Sequence, residues 1–277
     1  MKKKIVETLL VAAALTLLAG CGKANNTPEN VTDNNLTQDT TDNNMQDTTA
    51  TEDVTDNGTT NETTDLITGY DNVVMTAGSQ EEIYQYMEEN IPNATTEEVD
   101  HMIGGLLSYS GVPTSIDYAR LANHTDYMSD EMRRFVELMK REQELPAVSE
   151  DGMSSLTVTE LLNRAVEFEN LMKDYPQGRT YEHAYNMYEK IMKEAVTGGY
   201  DKEANRSNRY LDEKGTLGES YLKEYQDFTT GDYAESKTAA VIKDYVGRYD
   251  DTRTMGDEIL DYFENFAVKL KEGILGQ

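Results

Sequence analysis

Again and again between residues 79 and 219, this chain sets a Ser or Thr just ahead of an acid and then runs into apolar residues at helical spacing. Ser79-Gln80-Glu81-Glu82, Thr95-Thr96-Glu97-Glu98, Ser129-Asp130-Glu131-Met132 and Thr157-Val158-Thr159-Glu160 are the clearest cases. A Ser or Thr oxygen there accepts a backbone N–H that the first helical turn leaves orphaned, and a Glu three residues on reaches back to complete a capping box. A sequence punctuated in this way predicts helices, and the apolar spacing agrees. Ile83, Tyr84 and Met87 follow the first signal and run to Ile91-Pro92. Val99, Met102, Ile103, Leu106 and Leu107 follow the second, before Gly111 and Pro113. Phe135, Leu138 and Met139 follow Ser129, and Leu161, Leu162, Ala165, Phe168, Leu171 and Met172 follow Thr157.

Weaker signals fill the remainder. Thr114-Ser115-Ile116-Asp117 predicts another helix, apolar at Ile116, Ala119 and Leu121. Tyr181, Tyr185, Tyr188, Met192 and Val196 recur at helical spacing until Gly198-Gly199. A short helix is expected over Lys202–Leu211, and Thr216-Leu217-Gly218-Glu219 is read as the cap of one carrying Tyr221, Leu222, Tyr225 and Phe228. Ala239, Val241, Ile242 and Tyr245 mark the next, and Ile259 to Leu270 the last, ending near Gly273. The best strand candidate is the short Asn72-Val73-Val74-Met75. The expected fold of 66–277 is therefore all-α, a multi-helix bundle or irregular helical array. Gly199-Tyr200-Asp201-Lys202-Glu203-Ala204 and Gly231-Asp232-Tyr233-Ala234-Glu235-Ser236 resemble the turn into the second helix of tetratricopeptide-type units, which keeps helical-hairpin repeats open.

Residues 1–21 have a different character. Lys2, Lys3 and Lys4 precede the apolar run Leu9–Leu18, too short for the roughly 20 residues a spanning helix needs. A basic start, a short apolar stretch and small residues mark a secretory signal. The closing Leu18-Ala19-Gly20-Cys21 resembles the lipobox of bacterial prolipoproteins. That resemblance implies cleavage before Cys21, with 1–20 as signal peptide, and lipid attachment at Cys21, palmitate being a typical acyl group. Two acyl chains hold a protein stably where one does not. The implied place is the extracytoplasmic face of a cell membrane. Cys21 is the only cysteine, so no disulfide can staple the fold and its stability must come from packing.

From Cys21 to Asp65 the composition turns almost entirely to Asn, Thr, Asp, Gln and Glu, with no aromatic residue. Such a stretch buries too little apolar area to offset backbone entropy and is expected to be a disordered tether. As a flexible coil of about 44 residues it would span about 35–40 Å. It resembles the spacers of Gram-positive lipoproteins. The formal charge of −27 becomes −29 once Lys2, Lys3, Lys4 and Glu7 leave with the signal, which argues against nucleic acid as a partner. A surface protein or a cationic ligand suits that charge better.

No catalytic set stands out. His101, His124 and His183 fall on three separate predicted helices, without a His-Glu-x-x-His pattern, although Glu97 and Glu98 could meet His101, and Glu182 lies beside His183. Ser108-Tyr109-Ser110-Gly111 lacks the Gly-x-Ser-x-Gly elbow, and no phosphate-binding glycine loop or calcium loop occurs. Asp250-Asp251, Glu258 with Asp261, and Asp126 with Asp130-Glu131 are paired acids of a kind that any chain this acidic produces. No metal or cofactor is expected. The tyrosines sit mostly in apolar stripes, which favours core packing over a binding face. Two functions stay in view: a tethered, non-catalytic binding or protein-interaction module, and a cell-surface hydrolase of wall polymer or peptide using carboxylates or His101 and His124.

Overall fold

Helices form where the sequence places caps and apolar stripes. The computed structural model describes residues 60–110, 115–149, 154–249 and 251–275. Cys21, the expected signal peptide and the expected tether up to residue 59 lie outside the described residues, while residues 60–65, expected to belong to that tether, open the first helix. The chain is all-α: α1 (Thr60–Thr76), α2 (Gln80–Asn90), α3 (Thr96–Ser110), α4 (Tyr118–Leu121), α5 (Asp130–Glu144), α6 (Val158–Asp174), α7 (Tyr181–Thr197), α8 (Glu219–Thr230), α9 (Lys237–Gly247), α10 (Asp257–Glu264) and α11 (Phe266–Leu275). Short 3-10 turns, Ile91–Asn93 and Ala122–Tyr127, follow α2 and α4. Among the described residues the only β pairing is three isolated bridges near the loop that precedes α8.

The strongest caps act as read. Thr157 accepts from the Glu160 N–H while the Glu160 carboxylate returns to the Thr157 backbone, a full capping box on α6. Ser129 accepts from the Met132 N–H at the head of α5. Ser236, not singled out in the sequence, does the same for α9 through Ala239.

Elsewhere the structure departs from the sequence reading. Asn72–Met75 is no strand; it lies in α1, where Val73 and Val74 pack against the core. Two β-branched residues are a weak preference that helix packing overrides. The helix expected from Thr114 is a single turn, α4, capped by Asp117, which accepts from the Arg120 N–H. Thr114 itself lies outside the described residues. Lys202–Leu211 is not helical. Asp201 accepts from the Ala204 N–H and pairs with Arg206, Asn205 takes a φ of 51°, and the chain turns back on itself. Asp and Asn side chains compete with helical hydrogen bonds in this way. This turn, where a second helix would stand in a repeat unit, separates α7 from α8. Gly218 rather than Thr216 sits at the N-cap of α8, since Thr216 is occupied in a bridge to Thr254. The final helix is two, interrupted at Asn265, whose side-chain amide donates back to the Asp261 carbonyl at 3.1 Å.

α6 and α7 form the central hairpin. Leu161, Ala165, Phe168 and Leu171 of α6 and Ala184, Tyr188, Ile191 and Ala195 of α7 are buried, each large apolar side chain contributing about 1.5–3 kcal/mol. α1, α2 and α3 pack on one another, and Gly105 of α3 makes room for the ring of Tyr70, whose carbon a Cβ there would meet at 2.6 Å. Arg120 of α4 joins this group to the next, reaching Glu81 and Glu88 of α2 while lying 4.6 Å above the Tyr84 ring.

The tyrosines are largely core, as expected. Tyr210, Tyr225, Tyr245 and Tyr262 make successive ring contacts at 6.4, 5.6 and 5.9 Å, running from the 200–218 loop through α8 and α9 to α10. The Tyr225 hydroxyl donates to the Ala195 carbonyl at 2.6 Å, so its polar end is satisfied inside.

Candidate functional site

Most of the acids and histidines that the sequence offers for chemistry are engaged in holding helices. His101 Nε2 lies 2.8 Å from Asp71 on α1, while its helix neighbours face other tasks. Glu97 pairs with Arg179, and Glu98 accepts the Thr95 N–H at 2.7 Å to cap its own helix. Glu131 crosses to the head of α7, accepting both the N–H and the hydroxyl of Thr180 at 2.7 Å. Asp130 pairs with Arg133, Glu258 with Arg248 and Asp261 with Lys269. Ser108 and Ser110 donate to carbonyls of their own helix. His124 sits in the 3-10 turn after α4. His183 lies on α7 with its ring 6.3 Å from Phe135, and burial pulls its pKa below 6.5. The three histidines therefore occupy separate places. Among the described residues no three metal-ligating side chains converge. Asp250 lies outside the described residues, so its pairing with Asp251 is not placed.

Two buried acids were not legible in the sequence. Glu142 of α5 has only 5% of its side chain exposed and faces Arg164 of α6 at 3.5 Å, and that guanidinium also donates to the Pro146 carbonyl at 2.8 Å. Glu194 of α7, 8% exposed, is in ionic contact with Arg209 at 3.1 Å without the alignment of a hydrogen bond. Burial pushes both carboxyls above the usual glutamate range, the arginines offsetting it only in part. Arg209 in turn donates to the Leu156 carbonyl and the Tyr210 hydroxyl, tying the 200–218 loop to the segment entering α6. Nothing in the spacing of these residues announces their pairing, because partners lie 22 or 15 positions apart on different elements.

A roomy concave feature lies where the second half of α7 meets the 200–206 turn and the end of α10. It is a groove of about 580 Å³, within the range of small-molecule sites. Lys190 and Lys193, one helical turn apart and both exposed, form one wall. Lys202 and Arg206 stand on the turn, with Tyr200 and Phe263 between, their rings 5.6 Å apart. Lys202 pairs with Glu264 at 2.7 Å, which raises its pKa. Asp201 is held below its ordinary value by the Ala204 N–H and by Arg206. A second hollow of about 500 Å³ shares the turn on its other side. The sequence reading missed this groove, since it took 202–211 for a helix.

No family model, curated protein or solved structure matches this chain.

Proposed function

We propose that this chain is a lipid-anchored extracytoplasmic binding module, exported, cut before Cys21 and held at a cell membrane, of Gram-positive type, by lipid on that cysteine. The basic start, the short apolar run and Leu18-Ala19-Gly20-Cys21 support the anchoring. Among the described residues no helix is long and apolar enough to cross a membrane. The observation that carries the binding half is the commitment of the candidate chemical groups to structure. His101 and Asp71 join α3 to α1, Glu131 caps α7, and Glu258 and Asp261 are spent on Arg248 and Lys269. Although each keeps a lone pair, His101 at Nδ1 and the carboxylates at their remaining acceptor sites, these groups are tied to separate helix contacts and are not gathered into one acid–base set.

The reading is tested on the mature chain carrying Cys21→Ser, melted against divalent cations, wall-derived sugars, peptides and amino acids. A ligand at 100 times its dissociation constant stabilises the fold by about 2.7 kcal/mol. A shift by one chemical class without turnover supports a binding module. Consumption of the stabilising compound would make the chain a surface hydrolase instead, and silence across the panel would move the partner from small molecules to a surface protein.

A further inference from the structure

We infer that the groove between α7 and the 200–206 turn binds a small molecule carrying a phosphate or carboxylate on a planar apolar body. This rests on the reading of the chain as a binding module and gives it a site. The inference begins from charge after internal pairing. Of the acids around the groove, Glu194 is in contact with Arg209, Asp201 with Arg206 and Glu264 with Lys202. Glu203 is the acid left without such a contact among the described residues. Among the described residues Lys190 and Lys193 likewise have no hydrogen bond or ion pair at their ammonium groups, Lys190 lying within the longer-range field of the buried Glu142. Among the described residues the uncommitted charge lining this groove is therefore two lysines against one glutamate, in a chain of net charge −27.

Glu189 stands four residues before Lys193 and gives it ordinary helix support, but the helix dipole does not explain the two lysines. Cations are favoured in the last turn of a helix, but the last turn of α7 contains none. Their spacing sets the two ammonium groups on one face, looking into a hollow rather than over a convex surface. Two ammonium groups one turn apart suit an anion with several acceptor oxygens, each contact being charge-assisted. Behind them the tilted rings of Tyr200 and Phe263 offer an apolar wall, with Tyr200 still half-buried and within reach. Aromatic faces of this kind take planar groups in offset or edge-on contact. The groove thus supplies one polar and one apolar contact for the same ligand.

The test titrates the full mature chain carrying Cys21→Ser with phenyl phosphate, phenylacetate, inorganic phosphate and benzyl alcohol by calorimetry. Saturable binding of phenyl phosphate or phenylacetate is expected, with Lys190→Gln/Lys193→Gln weakening it at least about tenfold at unchanged melting temperature. Lys173→Gln/Lys271→Gln, two exposed lysines elsewhere, should leave it unaltered. Which aryl anion binds tells a phosphate ligand from a carboxylate. No saturation by either up to about 10 mM would overturn the site, as would equal weakening by the two lysine pairs. Inorganic phosphate binding as tightly as phenyl phosphate would overturn the part given to the rings. A thermal shift by another class, with these probes silent, would sink the groove and leave the binding module standing.

Discussion

Glu169 and Thr238 are joined by two hydrogen bonds across 69 positions of chain: one oxygen of the α6 glutamate accepts the threonine N–H at 2.8 Å and its hydroxyl at 2.6 Å. The other oxygen accepts the Lys237 N–H at 2.7 Å. A carboxylate on one helix thereby caps another, where orphaned donors and the helix dipole both favour negative charge. The device recurs. Glu131 of α5 does the same for Thr180 at the head of α7, and Glu224 of α8 for Thr159 near the head of α6, at 3.0 Å to both donors. A strongly acidic chain without disulfides thus uses its acids to lock helices together.

Glu169→Ala should cost about 2–3 kcal/mol in urea unfolding, because it leaves buried donors at the start of α9 unsatisfied. Glu169→Gln, which keeps one acceptor and the side-chain volume, should cost less. Equal stability of Glu169→Ala and the parent would remove the clasp from the list of what holds α9.

How much of this was legible beforehand depends on range. The caps within three residues of their partners, Ser129 and Thr157, were readable because the donor, the acceptor and the apolar stripe lie in one short window. The clasps were not, since Glu131, Glu169 and Glu224 look like ordinary exposed acids until the fold brings their threonines to them. α1 was missed for a related reason. Its polar first half reads as tether and its Val73-Val74 as strand, and only packing against α2 and α3 makes the helix worthwhile. The candidate site suffered most, because it is assembled on the 200–206 turn, whose Asp and Asn side chains decide a conformation that helical spacing cannot express.

Gly198 ends α7 in the left-handed region, φ 55°, and a Cβ there would meet the Asn208 amide oxygen at 2.3 Å. Gly198→Ala is expected to destabilise by at least about 1–2 kcal/mol from backbone strain alone, with the 200–218 loop loosened more than α6. Amide exchange resolves the two effects; uniform protection across loop and helix would contradict the assignment.

Stability should also carry opposing pH signatures. The Glu142 carboxyl is raised above its ordinary 4.5 by burial, so in the window just above 4.5 the folded chain binds the extra proton. Its contribution is full below the unfolded value and is lost as pH rises through the folded one. His183, lowered from 6.5 by burial, works the other way: its contribution is present above 6.5 and lost as pH falls through the folded value. Relative to Glu142→Gln, the parent should gain stability as pH falls toward 4.5, with a slope below about 1.4 kcal/mol per pH unit. A flat difference between the two would show that Glu142 is ionised alike in both states.

Tyr225→Phe removes a hydroxyl that donates to Ala195 in a fully buried setting, and about 1 kcal/mol of stability should go with it. The ring contacts to Tyr210 and Tyr245 remain, so far-ultraviolet circular dichroism should change little. A loss above about 3 kcal/mol would mean that the hydroxyl organises more than this one bond.

The most direct measurement is metabolic labelling with a fatty-acid analogue in a bacterial host, with membrane and soluble fractions compared for the parent and Cys21→Ser. Label on the parent in the membrane fraction, and its loss with release of the chain in Cys21→Ser, is the expected result. An unlabelled parent, or a Cys21→Ser chain still bound to the membrane, would contradict anchoring through Cys21.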